Sequence, residues 1–165
     1  MPELQKLLVV DDSQLIHSMY RLVLNRYEGC KIFDAMNGLE ALDVLSREKN
    51  FDLILLDINM PVMNGIEATR AFRQAEASGT RHLPIVAMTA HAMEGVREAC
   101  FDAGMNDYIS KPIEPHVLLT ILNRWLKAGP AQDTPPPAAE LSAASSFSSL
   151  PVRLERVACA SVIRY

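Results

Sequence analysis

The sequence predicts a doubly wound α/β domain, in which helices cover both faces of a parallel sheet. Two short, almost wholly apolar runs, residues 7–10 and 53–56, each end in aspartate. Runs without polar alternation are typical of strands that are buried on both faces. Strand and helix patterns alternate five times over residues 6–127, which predicts parallel strands joined by right-handed crossovers.

The remaining elements follow from weaker patterns. Three further strand candidates cover residues 31–35, 84–89 and 107–110. Four helices are predicted from apolar residues with helical spacing. In chain order these residues are Ile16, Met19 and Val23, then Leu39, Leu42 and Leu45, then Met93, Val96 and Cys100, and finally Leu118, Ile121, Leu122 and Trp125. A further helix, which carries Ile66 and Phe72, is predicted between turn-like residues at 64–65 and 77–80.

Composition limits the class of protein. The 165 residues are 49% hydrophobic and 22% charged, which is enough apolar material for a buried core. The net charge of −4 argues against direct binding of nucleic acid, which normally requires a basic face. We see no signal-peptide pattern and no apolar run of about 20 residues. The three scattered cysteines suit a reducing compartment. We therefore expect a cytoplasmic protein without membrane insertion.

The character of the chain changes after residue 127. A Gly-Pro pair, a run of three prolines at residues 135–137 and a Ser/Ala-rich stretch to residue 149 bury too little apolar surface to become ordered. We therefore expect one domain over residues 1–127. Residues 128–165 are expected to form a flexible C-terminal tail.

Polar residues whose side chains could bind a ligand or react follow the predicted strands. Asp11 and Asp12 follow the first strand, Asp57 the third, Thr89 the fourth and Lys111 the fifth. Ligands of open parallel sheets bind at the carboxyl ends of the strands, so these five side chains are expected to converge. Clustered carboxylates repel one another unless a cation lies between them. Mg²⁺ is the natural partner, because it prefers carboxylate, water and phosphate oxygens.

The chemistry of this group points to phosphoryl transfer. A carboxylate such as Asp57 can attack a phosphoryl group to give an aspartyl phosphate. Lys111 would offset the charge of that adduct, and the Thr89 hydroxyl could donate a hydrogen bond to it. Each residue alone has a simpler interpretation. Asp11, Asp12 and Ser13 are typical of a helix N-cap, and Asp57 could cap a turn.

The motifs at these strand ends resemble those of the receiver, or response-regulator, family, over about residues 5–127. They are Val-Val-Asp-Asp-Ser at residues 9–13, Leu-Asp-Ile-Asn-Met-Pro-Val-Met-Asn-Gly at residues 56–65, Met-Thr-Ala at residues 88–90 and Asp-Tyr-Ile-Ser-Lys-Pro at residues 107–112. The resemblance implies a flavodoxin-like sheet of five parallel strands in the order 2-1-3-4-5, with helices on both faces. It also implies a role in phosphorelay signal transduction.

The resemblance assigns roles to individual residues. Asp57 would be the phosphoacceptor, and Lys111 would stabilise the phosphoryl group. Asp11, Asp12 and Asp57 would hold Mg²⁺ together with the backbone carbonyl of Asn59.

Thr89 and Tyr108 match the switch pair of the family. Their movement would change the surface of residues 93–127. The Lys111–Pro112 peptide bond is expected to be cis, as in the family. His91 occupies a position that tunes dephosphorylation in the family. The other histidines, His17, His82 and His116, have no metal-ligand spacing and are expected at the surface or its boundary.

The resemblance also implies partners. A sensor histidine kinase or a histidine-phosphotransfer protein would donate the phosphoryl group, and an unidentified protein would bind the switched surface. Residues 83–92 and 104–113 are similar to receivers of hybrid kinases, whereas residues 57–65 are equally similar to free-standing receivers. Both possibilities stay open.

Two other functions are less consistent with the sequence. A haloacid-dehalogenase-type phosphohydrolase needs an acidic residue two positions after its nucleophilic aspartate, and Asn59 stands there. A nucleotide-binding module is not favoured, because the sequence contains neither a P-loop nor a Gly-x-Gly-x-x-Gly motif. We therefore expect a phosphoacceptor switch that acts only on itself, and no enzyme with external turnover.

The tail can be tested by truncation. Removing residues 128–165 should leave the midpoint of thermal unfolding within about 2 °C of that of the full chain, because the tail adds nothing to the core. Calorimetry of the two proteins measures the difference. A large drop would show instead that residues 152–163 pack on the domain.

Overall fold

The sheet has the predicted topology. In this computed structural model, residues 4–77, 79, 82–91 and 93–128 are described. Its strands are β1 (Lys6–Val10), β2 (Lys31–Ala35), β3 (Leu53–Asp57), β4 (Ile85–Thr89) and β5 (Asp107–Ser110). All neighbouring strands are parallel, in the order β2-β1-β3-β4-β5. The predicted doubly wound, flavodoxin-like fold is therefore confirmed.

Five helices alternate with the strands in the described part of the chain. They are α1 (Gln14–Leu24), α2 (Gly38–Arg47), α3 (Gly65–Glu76), α4 (Glu94–Ala103) and α5 (Pro115–Ala128). A capping box starts α3, in which Asn64 accepts from the Glu67 amide and Glu67 accepts from the Asn64 amide. The expectation of a flexible tail after α5 lies outside the described residues.

The three central strands β1, β3 and β4 are buried on both faces, as the apolar runs of β1 and β3 predicted, whereas the edge strands β2 and β5 are partly exposed. Alternate side chains of a strand point to opposite faces, so two cores form. On one face, α2, α3 and α4 pack through Ala41, Ala68 and Cys100 against Leu8, Val10, Ile54 and Leu56. On the other face, α1 and α5 pack through Tyr20, Leu24, Leu118, Ile121 and Leu122 against Leu7, Val9, Leu53 and Leu55.

The register brings the strand ends to one edge of the sheet. Val10 is aligned with Leu56, the residue before Asp57. Asp57 in turn is aligned with Met88, the residue before Thr89. The first residues after β1 and β5 therefore lie beside the last residues of β3 and β4, and this edge carries the candidate site.

The buried face of α1 differs from the predicted one by a single position. Ile16, Met19 and Val23 are only partly buried, and the buried residues of the helix are His17, Tyr20 and Leu24. The expectation that His17 lies at the surface is wrong, because its relative exposure is 4%. His82 and His116 are exposed, as expected. Polar partners, described below, make burial of the His17 imidazole possible.

Two residues predicted on buried helical faces are exposed. Leu39 is 55% exposed, and α2 is buried through Gly38 and Ala41 instead. Met93 is 48% exposed and is the N-cap residue of α4 rather than part of its buried face. In both cases the residue lies at the start of the helix, where the periodicity has few preceding residues to fix the orientation.

The turn between β3 and α3 requires glycine at position 65. A Cβ atom added to Gly65 would lie 2.4 Å from the carbonyl oxygen of Asp57 and 2.8 Å from the Cα atom of Ile58. Both are backbone atoms and cannot rotate away. The close approach also allows the Gly65 amide to donate to the Ile58 carbonyl at 3.2 Å. The start of α3 is thus packed directly against the segment that carries Asp57.

Two glycine substitutions should have opposite effects on stability. Gly65→Ala should lower the free energy of unfolding by about 1–3 kcal/mol, because the new methyl group overlaps backbone. Gly95→Ala in α4 is the matched control, since nothing lies within 4 Å of its Cβ position. It should raise the free energy of unfolding by up to about 1 kcal/mol through helix propensity. Urea unfolding measures both, and equal effects would contradict the close packing of Gly65.

Candidate functional site

The centre of the site is an ammonium group between two buried carboxylates. Asp11 follows β1, Asp57 ends β3, and Lys111 follows β5. The Lys111 Nζ atom donates to Asp11 Oδ2 at 2.7 Å and to Asp57 Oδ2 at 3.0 Å. Relative exposure is 0% for Asp11 and 4% for Asp57. Side chains from three strand ends therefore meet in one pocket.

Main-chain amides orient both carboxylates. The amide of Ser13 donates to Asp11 Oδ1 at 2.9 Å, and the amide of Asn59 donates to Asp57 Oδ1 at 3.1 Å. Ser13 is the N-cap residue of α1, but its side chain makes no capping hydrogen bond. The simpler interpretations of these residues as turn and cap formers are thus partly correct. In each carboxylate, one oxygen accepts from a main-chain amide and the other accepts from Lys111.

Asp12 completes an acidic cluster. It is exposed, and one carboxylate oxygen from each of Asp11, Asp12 and Asp57 lies within 4.8 Å of the others. Three carboxylates and one ammonium group leave an excess of negative charge at the pocket. Hard oxygen ligands with excess negative charge suit a divalent cation such as Mg²⁺. The donor set therefore could hold a metal ion.

The electrostatics of the pocket favour neutralisation. Burial raises the pKa of Asp57 above its usual range, although hydrogen bonds from Lys111 and from the Asn59 amide act in the opposite direction. Burial alone would lower the pKa of Lys111, but its hydrogen bonds to Asp11 and Asp57 outweigh this effect and raise it. The Lys111 side chain therefore stays charged, while the charged form of Asp57 is less stable here than it would be in water.

Thr89 lies at the end of β4, and its hydroxyl group bonds within its own loop. The hydroxyl donates to the carbonyl oxygen of His91 at 3.0 Å, and it accepts from the His91 amide at 3.1 Å. The Lys111 amide donates to the Thr89 carbonyl oxygen at 2.7 Å. The following Lys111–Pro112 peptide bond is cis, which confirms the expectation. A backbone hydrogen bond therefore connects Lys111 and Thr89, two of the predicted site residues.

Tyr108 on β5 is half-buried beneath residues of α4. The Arg97 guanidinium carbon lies 5.2 Å from the centre of the Tyr108 ring and 5.5 Å from that of Phe101. The two rings meet edge to face, with centroids 6.4 Å apart. The sequence did not single out Arg97 or Phe101. Their spacing of four residues on α4 places them on one helical face and was an available signal.

The contacts of His17 were also missed by the sequence analysis. Its ring lies between the Asp11 carbonyl oxygen and the Asp34 carboxylate, at 2.7 and 2.9 Å. The spacing of His17, Tyr20 and Leu24 along α1 is that of a buried helical face, so a signal was present. The polar character of histidine concealed it.

The 2-1-3-4-5 parallel sheet, with an acidic cluster at its carboxyl edge, places the protein in the flavodoxin-like fold class. Residues 7–123 match the family model of the response regulator receiver domain. The chain belongs to that family and is a receiver domain of two-component phosphorelay systems. Domains of this family generally act as phosphoacceptor switches.

Relatives occur both as parts of large kinases and as short regulators. The chain is 41% identical over 123 residues to hybrid signal transduction histidine kinase I of Dictyostelium discoideum, covering 72% of this chain but only 7% of the kinase. It is 40% identical over 117 residues to two-component response regulator 24 of Arabidopsis thaliana, covering 71% of this chain and 81% of the regulator. Both a hybrid kinase and a short response regulator therefore contain a segment similar to this chain.

A solved receiver structure is similar in fold and sequence. The receiver domain of a sensor histidine kinase from Pseudomonas aeruginosa superimposes with a TM-score of 0.64 and 37% identity, covering 74% of this chain and 98% of that one. That crystal structure contains a magnesium ion coordinated in the active site cleft. Among the described residues of the present chain, no helix is long and apolar enough to cross a bilayer.

Removal of the Asp57 charge should stabilise the metal-free protein. Because folding raises the pKa of Asp57, the native state binds this proton more tightly than the unfolded chain does. Aspartates of an unfolded chain have a pKa of about 3.9. The wild type therefore loses stability as the pH rises from that value through the raised pKa. We expect Asp57→Asn to be more stable than the wild type at pH about 7 in EDTA, with the difference shrinking toward pH about 4.

Lys111→Met is the matched comparison for this measurement. It leaves two buried carboxylates without their cation, and it should lower the free energy of unfolding by about 2 kcal/mol at neutral pH. Urea unfolding at the two pH values measures both variants. If Asp57→Asn were less stable than the wild type at neutral pH, burial would not be the dominant effect on this carboxylate.

Proposed function

We propose that Asp57 is the residue that accepts the phosphoryl group in this receiver domain. The observation that carries the proposal is the position of Lys111, whose ammonium group contacts Asp57 and Asp11 at once. A cation held in this way can follow the negative charge as it moves from the carboxylate to an attached phosphoryl group. The donor would be a sensor histidine kinase or a histidine-phosphotransfer protein.

The transfer itself needs little chemistry from the protein. A carboxylate oxygen of Asp57 forms a bond to phosphorus, and the bond from phosphorus to the donor breaks. The donor imidazole, or acetate when acetyl phosphate is used, leaves with the electron pair. The protein's part is orientation and charge stabilisation. The Asn59 amide and Lys111 hold the two oxygens of Asp57 in fixed directions, so the nucleophile is oriented before the donor arrives.

Mg²⁺ is the proposed cofactor. Asp11, Asp12 and Asp57 would hold it through their carboxylates, and Asn59 through its backbone carbonyl. When bound, the ion would neutralise negative charge on the carboxylates and on the phosphoryl oxygens. The acidic cluster supports this proposal, as does the magnesium ion in the similar Pseudomonas aeruginosa receiver.

We propose that the domain is a switch rather than a phosphohydrolase. Hydrolysis of an external phosphomonoester requires an acid that protonates the leaving alcohol. The residue two positions after Asp57 is Asn59, whose amide side chain cannot do this and is exposed. The phosphoryl group would therefore remain on Asp57 until slow hydrolysis of the aspartyl phosphate removes it.

Thr89 and Tyr108 are the proposed switch residues. To donate to a phosphoryl oxygen, the Thr89 hydroxyl must give up the hydrogen bond that it donates to the His91 carbonyl oxygen, because it has a single hydrogen. Its movement would open space at the end of β4, into which the Tyr108 ring could rotate. The cation–π contact of Arg97 with that half-buried ring opposes rotation by about 0.5–2 kcal/mol, the range from exposed to desolvated contacts. Phosphorylation can overcome an opposing term of this size.

The proposed output is a change in the surface of residues 93–127, which an unidentified protein partner would bind. Tyr108 contacts Phe101 and Arg97, so its rotation would alter the face of α4 directly. The net charge of −4 favours a protein partner over nucleic acid. We expect the domain to act in the cytoplasm, where kinase donors phosphorylate their receivers.

Phosphorylation can be measured by mass spectrometry with acetyl phosphate and Mg²⁺. The wild type should gain one phosphoryl group, and Asp57→Asn should gain none, because the nucleophile is removed at nearly constant shape. Asp102→Asn, which changes an exposed aspartate at the end of α4, is the matched control and should be labelled as the wild type is. Equal labelling of Asp57→Asn and the wild type would show that another residue is phosphorylated.

Two further variants separate transfer from switching. Lys111→Ala should lower the labelling rate by about a hundredfold, because one preorganised cation is lost. Thr89→Ala should still be labelled. In both variants, labelling should no longer change the NMR signals of the Tyr108 ring. If Thr89→Ala kept the full change at Tyr108, Thr89 would not be the coupling residue.

A further inference from the structure

His17 is a buried polar residue that the proposed phosphoryl transfer does not use. Its Nε2 atom lies 2.7 Å from the carbonyl oxygen of Asp11, and its Nδ1 atom lies 2.9 Å from Asp34 Oδ1. A carbonyl oxygen can only accept, so the Nε2–H group donates to Asp11. Asp34 also accepts from Arg21 on α1. The ring therefore ties α1 to the end of β1 and to β2.

The carbonyl that His17 holds belongs to the peptide group between Asp11 and Asp12. On the other side of Asp11, its amide donates to the Ala35 carbonyl oxygen at 3.1 Å. The Asp11 backbone is thus fixed on both sides. The orientation of the next peptide plane decides where the chain places Asp12, which is exposed. The Asp11 side chain is fixed separately, by Ser13 and Lys111.

We propose that His17 is a positioning residue for the acidic pair, and that it sets the Mg²⁺ concentration at which the receiver becomes phosphorylated. This inference rests on the proposed function of Asp11 and Asp12 as metal ligands. Hydrogen bonds that orient metal ligands typically change metal affinity by about tenfold or more when they are lost. Without the bond to its carbonyl, the Asp11–Asp12 peptide could turn, and ordering it again would oppose metal binding.

Two similar substitutions separate positioning from simple packing. In His17→Gln, the side-chain amide nitrogen lies about as far from the backbone as Nε2, so the variant can still donate to the Asp11 carbonyl. In His17→Asn, the shorter amide corresponds to Nδ1, so the variant can contact Asp34 but not the Asp11 carbonyl. Both replace an imidazole by an amide. Because Asn leaves the larger cavity at this buried site, the two variants are compared by their affinity for Mg²⁺ and not by their stability. A role in packing alone would lower the free energy of unfolding without changing the affinity for Mg²⁺.

The first measurement is Mg²⁺ binding without any phosphodonor, followed by the NMR shifts of the amides near Asp12 and Asp57. We expect His17→Asn to raise the half-saturating Mg²⁺ concentration by about tenfold. His17→Gln should rescue most of this loss. The second measurement is the Mg²⁺ dependence of labelling by acetyl phosphate. The half-saturating concentration should shift in the same way, while the rate of His17→Asn at saturating Mg²⁺ approaches that of the wild type.

The outcomes distinguish two kinds of failure. If the wild type itself shows neither Mg²⁺-dependent shifts nor labelling of Asp57, the proposed function is wrong and this inference falls with it. If the wild type binds Mg²⁺ and is labelled, but the Asn and Gln variants have equal half-saturating concentrations, only the role of His17 is wrong. A loss of maximal labelling rate in His17→Asn without a change in Mg²⁺ affinity would also overturn it.

Discussion

The site depends on one electrostatic constraint, which is that two nearly fully buried carboxylates share a single ammonium group. Taking Asp11 and Asp57 out of water is costly unless each finds a cation or hydrogen-bond donors. Lys111 supplies the cation to both. It follows β5, whereas the carboxylates follow or end β1 and β3, so the lysine must reach across the end of β4. The charges are therefore balanced only when four adjacent strands are in register.

The negative charge of the site is only partly neutralised, and such a site suits a switch. With Asp12 included, three carboxylates face one ammonium group, and burial already disfavours the charged form of Asp57. A pocket of this kind is less stable in isolation than an apolar one would be. It gains stability from any ligand that brings positive charge or removes negative charge. Functional sites commonly carry such a stability cost, which the apolar core on both sides of the sheet offsets.

In the described part of the chain, local contacts hold the two proposed switch residues, Thr89 and Tyr108, in place. The Thr89 hydroxyl exchanges hydrogen bonds with His91 in its own loop, and the Tyr108 ring contacts Arg97 in a cation–π interaction worth about 0.5–2 kcal/mol. Gly65 packs directly on the backbone of Asp57, so the α3 side of the site is closely packed. In the proposed switch, movement is therefore expected on the α4 side.

By itself, the sequence determined the fold class, the strand order through family resemblance, and the positions of the polar residues at the strand ends. These properties are local, because an apolar run that stops at aspartate or threonine marks a strand end, and parallel topology brings such ends together. Periodicity also showed that each helix has an apolar face, but it did not fix the rotation of α1, which differs by one position and buries His17. Only the tertiary structure decided that rotation and the stacking of Arg97 on Tyr108. Each contact joins two different elements: His17 on α1 contacts Asp34 on β2, and Arg97 on α4 contacts Tyr108 on β5. A pattern within one helix or strand does not show which side chains of other elements will pack against it.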